Sequence, residues 1–142
     1  MFLGEFEYKI DEKGRVPIPP KFRGGLKDGG MVVATGPEKN IVAYSTAGWN
    51  KLAATLDGSS IAASKLRRLK RSLFAGAFTV NIDRQGRIAL PPPLREYAGI
   101  EDEVIIAGVN TYFELWDKEQ WASEKAASQE QAWQIIESLE RH

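Results

Sequence analysis

The chain is an internal duplication, and this feature constrains its fold more than any other. Shifting the sequence by 72 residues aligns residues 2–49 with residues 74–121 without a gap, and 13 of the 48 pairs are identical. Ten of these identities fall in the first 22 pairs, where ordinary composition would give roughly one or two. The two copies are therefore expected to share one order of structural elements.

Each copy opens with the pattern of a strand, a tight turn and a second strand. Residues 6–10 and 78–82 alternate apolar and polar side chains, which is the period of a half-buried strand. An Asp-x-x-Gly-Arg turn follows in both copies, where the aspartate can accept backbone N–H bonds and the glycine tolerates positive φ. The chain then returns as a second strand at residues 15–18 and 87–90, and Pro17 limits the first of these to an edge or bulge position.

Prolines and apolar runs predict the remaining elements of each copy. The prolines at 19–20 and 91–93 end the second strands and start short helices, because proline suits the first helical turn. Two more strands are expected in each copy, at residues 31–35 and 41–44 and at residues 104–107 and 112–116.

We expect a mainly β fold with short helices, of the α+β class, in which the two copies form one unit. About 50 residues is near the lower limit for an independent core, and copies that close each other's sheets leave fewer exposed edges. The predicted architecture is two tandem βαβ modules forming one β-barrel about a pseudo-twofold axis. Its predicted parts are a first module at 1–54, a linker helix with a basic cluster at 55–72, a second module at 73–121 and a C-terminal helical tail at 122–142.

The composition excludes several classes of catalytic site. The 142 residues include no cysteine, and the single histidine is the last residue, which removes thiolate chemistry and most histidine chemistry. No phosphate loop, His-Glu-x-x-His helix or Gly-x-Ser-x-Gly elbow occurs. We therefore expect a non-enzyme without a metal, cofactor or small-molecule substrate. The lack of a long apolar stretch, with acids where a signal peptide would be basic, predicts a cytoplasmic protein with no membrane association.

A net charge of zero conceals a basic body and an acidic tail. Residues 1–116 carry a net +3 and residues 117–142 a net −3, and five cations lie between Lys65 and Arg71. This cluster is either a solvated helix face or a patch for phosphate or another anionic partner. In the second case, Leu66, Leu69 and Leu73 would anchor the opposite face of the helix.

The duplicated turns hold the most specific candidate site residues, Arg15 and Arg87. A guanidinium can fork onto phosphate or onto guanine O6 and N7, and a twofold barrel would present both arginines on one face. The structural alternative is that each arginine pairs with the aspartate four residues earlier and fixes the turn. Turn chemistry alone gives the two interpretations equal weight, and the repetition at one offset favours the first.

The tryptophans divide into two groups. Trp49 and Trp121 follow a strand at equivalent positions of the two copies and are interpreted as inward anchors of packing helices. Trp133 lies outside the repeat, on a tail where it recurs with Ile136 and Leu139 near helical spacing. It is therefore a candidate contact between subunits.

Motifs in both copies carry a resemblance to a known family. In the first copy they are residues 1–6 (MFLGEF), 11–15 (DEKGR) and 19–23 (PPKFR), and in the second they are residues 74–77 (FAGA), 83–87 (DRQGR), 91–99 (PPPLREYAG) and 114–117 (ELWD). Over residues 1–121 the chain resembles the MraZ family of bacterial transcriptional regulators. That family belongs to the AbrB-like superfamily, whose members form a β-barrel from swapped hairpins, and MraZ-like chains fuse two such modules.

The resemblance implies a DNA-binding regulator. It implies sequence-specific binding to short repeats in the promoter of the division and cell-wall gene cluster, by a ring-like homo-oligomer associated with the nucleoid. By the resemblance, the DNA-contacting arginines are Arg15 and Arg87, and nearby candidates for phosphate contact are Lys9, Lys13, Arg23, Arg84 and Arg95. Since Gln85 replaces Lys13 in the second copy, the first copy is expected to contribute more.

A second function class stays open beside the first. AbrB-like antitoxins are protein–protein interaction modules, and in a chain of that kind the tail after Asp117 would clamp a partner protein. Such tails are usually disordered until bound, whereas this tail keeps a helix-compatible pattern of apolar residues.

Overall fold

A computed structural model describes residues 1–26 and 29–141 of the chain, so the predicted tail is described up to Arg141 and His142 lies outside the described part. The strands are β1 (Glu5–Lys9), β2 (Arg15–Pro17), β3 (Gly30–Thr35), β4 (Ile41–Ser45), β5 (Phe78–Asn81), β6 (Arg87–Ala89), β7 (Glu103–Gly108) and β8 (Phe113–Asp117). The helices are α1 (Pro20–Arg23), α2 (Thr46–Asp57), α3 (Ala63–Ala75), α4 (Pro92–Ala98) and α5 (Lys118–Glu140). The α+β class predicted from the patterns is confirmed.

The two copies exchange strands rather than folding side by side. Six strands form one antiparallel sheet in the order β1-β7-β8-β4-β3-β5, and β2 pairs with β6 in a second, two-stranded sheet. The first strand of each copy thus pairs with the third strand of the other, as β1 with β7 and β5 with β3. Exchanging the copies reverses this order onto itself, so the strand order has the symmetry of a pseudo-twofold axis between β8 and β4.

Backbone pairing does not close the predicted barrel. In the described part of the chain β1 pairs only with β7, and β5 only with β3, so both are edge strands of the six-stranded sheet. The strands that would bridge these edges, β2 and β6, have three residues each and pair with one another instead. Pro17 lacks a backbone N–H, and the pairing with β6 ends one residue later, where Ile18 N donates to Gly86 O at 2.9 Å.

One apolar core lies between the sheet and the two-stranded ribbon. Buried residues from both copies contribute to it, including Val16 and Ile88 of the ribbon and the interior residues of β3 and β7. At its centre the Phe22 ring lies 5.2 Å from Phe2 and 5.1 Å from Phe113, with edge-to-face or tilted geometry. Because these rings come from both copies, neither copy completes its aromatic cluster alone.

The duplication is not symmetric in its side chains. Phe2 is buried in the core, whereas its counterpart Phe74 is half-buried and its ring lies 5.7 Å from Trp49. The difference arises because α3 runs on to Ala75, so Phe74 belongs to a helix where Phe2 belongs to an extended segment. Trp49 and Trp121 are both half-buried against the sheet rather than fully enclosed.

The helix expected in the linker is present with different bounds. The region 55–72 contains the end of α2 and most of α3, which continues past the predicted limit. The helix predicted for the tail is α5, capped by the Asp117 carboxylate, which accepts from Gln120 N at 3.1 Å. Among residues 1–26 and 29–141, no helix combines the length and apolar character needed to cross a bilayer.

The asymmetry between the two phenylalanines predicts unequal effects of truncation. Phe2→Ala is expected to lower the free energy of unfolding by about 3–5 kcal/mol, since it empties part of the core. Phe74→Ala, which removes the same atoms at the equivalent position of the other copy, is expected to cost clearly less. Urea unfolding of the two variants checks this, and equal losses would contradict the asymmetric core.

Candidate nucleic-acid interface

The two Asp-x-x-Gly-Arg turns have the same internal hydrogen bonds. Asp11 Oδ1 accepts from Lys13 N at 3.0 Å and from Arg15 N at 2.8 Å, and Arg15 Nε donates to Oδ2 at 2.8 Å. Asp83 accepts from Gln85 N and Arg87 N, both at 2.9 Å, and from Arg87 Nε at 3.2 Å. The arginine–aspartate pairing foreseen as the structural alternative is therefore present in both copies.

The β2–β6 pairing places both arginines on one face. Arg15 is opposite Ala89 and Arg87 is opposite Pro17 in the antiparallel register. Because side chains alternate along a strand, the central pair Val16 and Ile88 points into the core, where both are buried. Arg15 and Arg87 lie on the other, outward face, in diagonal positions of the same ribbon.

The two guanidinium groups converge on one carboxylate. Arg87 Nη1 lies 3.6 Å from Asp11 Oδ2, the oxygen that also accepts from Arg15 Nε. The side chains of Arg15 and Arg87 are 32% and 25% exposed, so neither is enclosed. In both arginines the bond to the nearer aspartate uses Nε, and the Nη groups are the outer, forked end of the side chain.

Hydrogen bonds within the turns lower the pKa of both turn aspartates. The backbone N–H of Arg15, followed by its guanidinium, holds the pKa of Asp11 below its ordinary value of 3.8. The backbone N–H of Arg87 lowers the pKa of Asp83 in the same way. Both aspartates are therefore charged near neutral pH, and each orients its arginine with a charge-assisted hydrogen bond.

Arg23 and Arg95 lie behind the turns of the opposite copies. A Cβ added at Gly14 would lie 2.8 Å from Arg95 Nη1, and one added at Gly86 would overlap the Arg23 guanidinium. Gly14 and Gly86 also have positive φ, 79° and 78°. Each turn therefore requires glycine both for its backbone conformation and to leave room for the arginine of the other copy. Arg23 Nε further donates to Ile18 O at 3.1 Å.

This reciprocal packing was not predicted from the sequence. The signal was present, since arginine and glycine recur at the same offset in both copies, but a repeat does not reveal which copy each side chain contacts. Only the exchange of strands makes Arg23 a neighbour of Gly86 and Arg95 a neighbour of Gly14.

The other predicted site residues are exposed and surround the turns. Lys13 and Arg84 lie within the first and second turns, and Lys9 is at the end of β1 opposite Glu103 of β7. The basic cluster lies on α3, outside these turns, and its Lys70 pairs with Asp57 of α2 at 2.7 Å. Lys13 and Arg84 therefore lie in the turns that precede Arg15 and Arg87, and Lys9 lies two residues before the first turn.

Comparison with known proteins assigns the chain to a family. The family model described as "MraZ protein, putative antitoxin-like" matches the chain twice, at residues 1–72 and at residues 73–139. The chain belongs to the MraZ family. The resemblance inferred from the turn and proline motifs is thereby confirmed.

Individual relatives give the same result. A protein of Dehalococcoides mccartyi named Transcriptional regulator MraZ is 62% identical over 143 residues, which is 100% of both chains. Proteins of the same name match from Herpetosiphon aurantiacus, at 44% identity over 85% of this chain and 84% of the relative, and from Acetivibrio thermocellus, at 42% over 98% and 96%. The names of these MraZ relatives denote regulators and not enzymes, in agreement with the expectation of a non-enzyme.

The contacts behind the MraZ turns predict that both turn glycines are required. Gly14→Ala and Gly86→Ala are each expected to destabilise the fold by about 1–3 kcal/mol, through positive φ and displacement of the arginine from the other copy. Gly24→Ala is the matched control, because Gly24 has φ −64° and no atom near the added Cβ. It is expected to change stability by less than about 1 kcal/mol, with a stabilising sign. Urea unfolding would contradict this if all three variants behaved alike.

The lowered pKa values of the turn aspartates predict a pH dependence of stability. Their contribution is fully present above the ordinary aspartate value of 3.8 and is lost as pH falls through the lower folded pKa values. The double variant Asp11→Asn/Asp83→Asn is therefore expected to be less stable than the parent at neutral pH, with a difference that shrinks as the solution is acidified. Urea unfolding of both proteins at a series of pH values from neutral to acid measures this difference.

The control for that experiment is Glu12→Gln, which neutralises an exposed carboxyl of the first turn without touching either arginine bond. This variant should lose stability at acid pH in the same way as the parent. A constant difference between the double variant and the parent at every pH would contradict the role given to the two carboxylates.

Proposed function

We propose that this chain is a sequence-specific DNA-binding transcriptional regulator whose DNA-contacting face is the outward side of the β2–β6 ribbon. The observation that carries the proposal is the placement of Arg15 and Arg87 on one face, each oriented by its own aspartate. The regulatory role is supported by membership of the MraZ family, whose relatives are named transcriptional regulators.

The chemistry of the paired arginines suits DNA. With Nε held by a carboxylate, the Nη groups of a guanidinium are pre-oriented as a fork, which matches guanine O6 and N7 or two phosphate oxygens. In Arg87, binding would exchange the 3.6 Å contact between Nη1 and Asp11 Oδ2 for an acceptor on the DNA. Holding the side chain in one orientation before binding reduces the entropy lost on binding. The nearby Asp11 and Asp83 charges limit non-specific attraction to phosphate, so discrimination depends on the fork more than on net charge.

The surrounding cations have two different roles in this proposal. Lys9, Lys13 and Arg84 are exposed beside the ribbon and would contact phosphates, fixing the register of the protein on the duplex. Arg23 and Arg95, which the resemblance offers as further phosphate contacts, lie against the glycines of the opposite turns. We assign them a positioning role, because they support the turns from which Arg15 and Arg87 project.

Self-association would supply the affinity that one chain lacks. A single ribbon offers two arginine forks and a few lysines, while the whole chain has no net positive charge. If several copies bind successive short repeats of one promoter, avidity raises affinity by about 10²–10⁴ without new contacts. We therefore propose a homo-oligomer associated with the nucleoid, acting on repeats in the promoter of the division and cell-wall genes, as the family resemblance implies.

Replacing both ribbon arginines tests the proposal. Arg15→Ala/Arg87→Ala is expected to weaken binding to a duplex carrying the repeats upstream of the chain's own gene by roughly 2–6 kcal/mol, since each fork contributes about 1–3 kcal/mol. Ion pairs that remain accessible to solvent contribute about 0–1 kcal/mol each, and both of these pairs are partly exposed, so the melting temperature should change little. Fluorescence anisotropy at several salt concentrations, with a scrambled duplex alongside, measures both affinity and specificity.

Two matched variants sharpen this test. Arg15→Lys/Arg87→Lys keeps the charge and loses the fork, so it should retain the salt slope and lose discrimination against the scrambled duplex. Arg67→Ala/Arg71→Ala removes two positive charges from α3 and should leave discrimination unchanged. Unfolding as the main effect of the alanine pair would identify the arginines as braces only.

A second candidate function is a protein–protein module of the antitoxin type. It is favoured by the exposed apolar side chains on α5 and by the antitoxin-like description of the family. Deletion of residues 122–142 separates the two functions. Loss of a partner protein with intact DNA binding would support the module, and loss of oligomer order with weakened DNA binding supports the regulator.

A further inference from the structure

The distal half of α5 is an unpartnered surface. The first turns of this helix are attached to the sheet, since the Trp121 ring lies 5.8 Å from Trp116 and Lys125 pairs with Glu5 at 3.0 Å. Beyond Lys125, residues 126–141 are all exposed. At 1.5 Å per residue, this segment extends about 22 Å from the body.

The exposed segment carries large apolar side chains that a monomer would normally bury. Trp133 and Leu139 are each 71% exposed, and Ile135 is 56% exposed. The accessible surface of the chain is 9198 Å², against roughly 7,300 Å² for a compact protein of this mass. The extra surface includes an apolar patch of the kind that marks an interaction site.

One stripe of this segment combines acidic and apolar residues. Glu130, Trp133, Glu137 and Glu140 follow at intervals of three or four residues, so they share one side of the helix. Over its whole length α5 contains five acidic and two basic side chains. A partner surface for this stripe therefore needs an apolar groove beside positive charge.

Such a groove lies beside α3. Pro37, Leu69, Leu73 and Tyr97 line an open cleft of about 290 Å³ between α3, the β3–β4 turn and α4. The Tyr97 hydroxyl donates to Gly36 O at 2.6 Å, which fixes α4 against the turn. The apolar lining gives the groove a place for a large side chain.

Cations stand at the rim of this groove. Leu69 and Ser72 of α3 line the groove. Lys65 precedes Leu69 by one helical turn and Arg68 precedes Ser72 by one turn, so both cations lie on the groove side of α3. Across the groove, Lys39 Nζ is 5.7 Å from the centre of the Tyr97 ring. α3 itself contains five basic and no acidic side chains, so its charge opposes that of α5.

We propose that the distal segment of α5 from one copy docks in the α3 groove of a second copy, with Trp133 in the apolar cleft and Glu130 and Glu137 beside Lys65 and Arg68. This deepens, and rests on, the self-association included in the proposed function. The two surfaces differ, so the contact is head-to-tail and each copy keeps one free groove and one free tail until a ring closes or a filament extends.

The occupant is argued from complementarity. A DNA duplex would satisfy the rim cations but would leave the apolar lining of the groove and the exposed Trp133 without a partner. The tail of a second copy brings Trp133 to the apolar lining and Glu130 and Glu137 to the rim cations, and it needs no partner beyond the chain itself. Within one copy, the distal half of α5 is exposed and therefore does not occupy the copy's own groove.

Charge reversal on the full-length chain tests the docking. Glu130→Lys/Glu137→Lys and Lys65→Glu/Arg68→Glu are each expected to weaken self-association roughly tenfold or more, because like charges would then face one another. Combining all four substitutions in one chain should restore association, since every interface then carries reversed but complementary charges. Sedimentation velocity over a concentration series at low salt measures the assembly.

The matched control is Glu12→Lys/Glu101→Lys, which changes the net charge as much as the tail variant does but on exposed residues outside both surfaces. It should associate like the parent. Trp133→Ala tests the apolar part of the contact, with the neighbouring Gln134→Ala as its control, and only the first should dissociate the assembly.

The outcomes separate this inference from the proposed function. Assembly that is unchanged by the tail and groove variants would overturn the docking while leaving self-association in place. A parent chain that stays monomeric at all concentrations would overturn both the docking and the proposed oligomer. Loss of DNA binding by the groove variant with assembly intact would assign the rim cations to DNA and reject the second copy as occupant.

Discussion

The register of the β2–β6 pair is the constraint on which the proposed interface depends. With Val16 opposite Ile88, both apolar side chains enter the core and both arginines face outwards. A slip of one residue would reverse this arrangement and bury the guanidinium groups. The register is held at both ends by the turns, because Ile18 N donates to Gly86 O and Leu90 N to Gly14 O, each at 2.9 Å.

The structural and functional interpretations of the turn arginines are compatible in this geometry. The aspartates occupy Nε of Arg15 and Arg87, so the brace determines where the rest of each guanidinium points. A partly exposed ion pair of this kind adds little to stability. The ion pair instead holds the arginine in one orientation before binding, which reduces the conformational entropy that the side chain loses when it binds a ligand. The sequence left the two interpretations open because it could not show which nitrogen the aspartate would use.

Local structure followed from the sequence more directly than long-range pairing did. The turns, the strands and the proline-started helices depend on residues close together in the chain, and they lie within a few residues of their predicted positions. The exchange of strands, the arginine–glycine contacts between copies and the open edges of β1 and β5 depend on residues 45 to 102 positions apart in the sequence. A repeat aligns equivalent positions of the two copies without revealing which residues touch. The different environments of Phe2 and Phe74 arise in the same way, from a helix continuing into the second copy.

Fusion of the two copies allows the proposed interface to lose its exact twofold character. Asp11 interacts with both arginines, whereas Asp83 interacts with Arg87 alone, and Lys13 has the uncharged Gln85 as its counterpart. A homodimer would place identical groups on both halves and would suit a palindromic site. A fused pair with unequal halves has a direction along its DNA, so copies arranged head-to-tail would engage repeats that all point the same way. The unequal ribbon and the head-to-tail contact proposed for α5 and α3 are thus consistent with one mode of assembly.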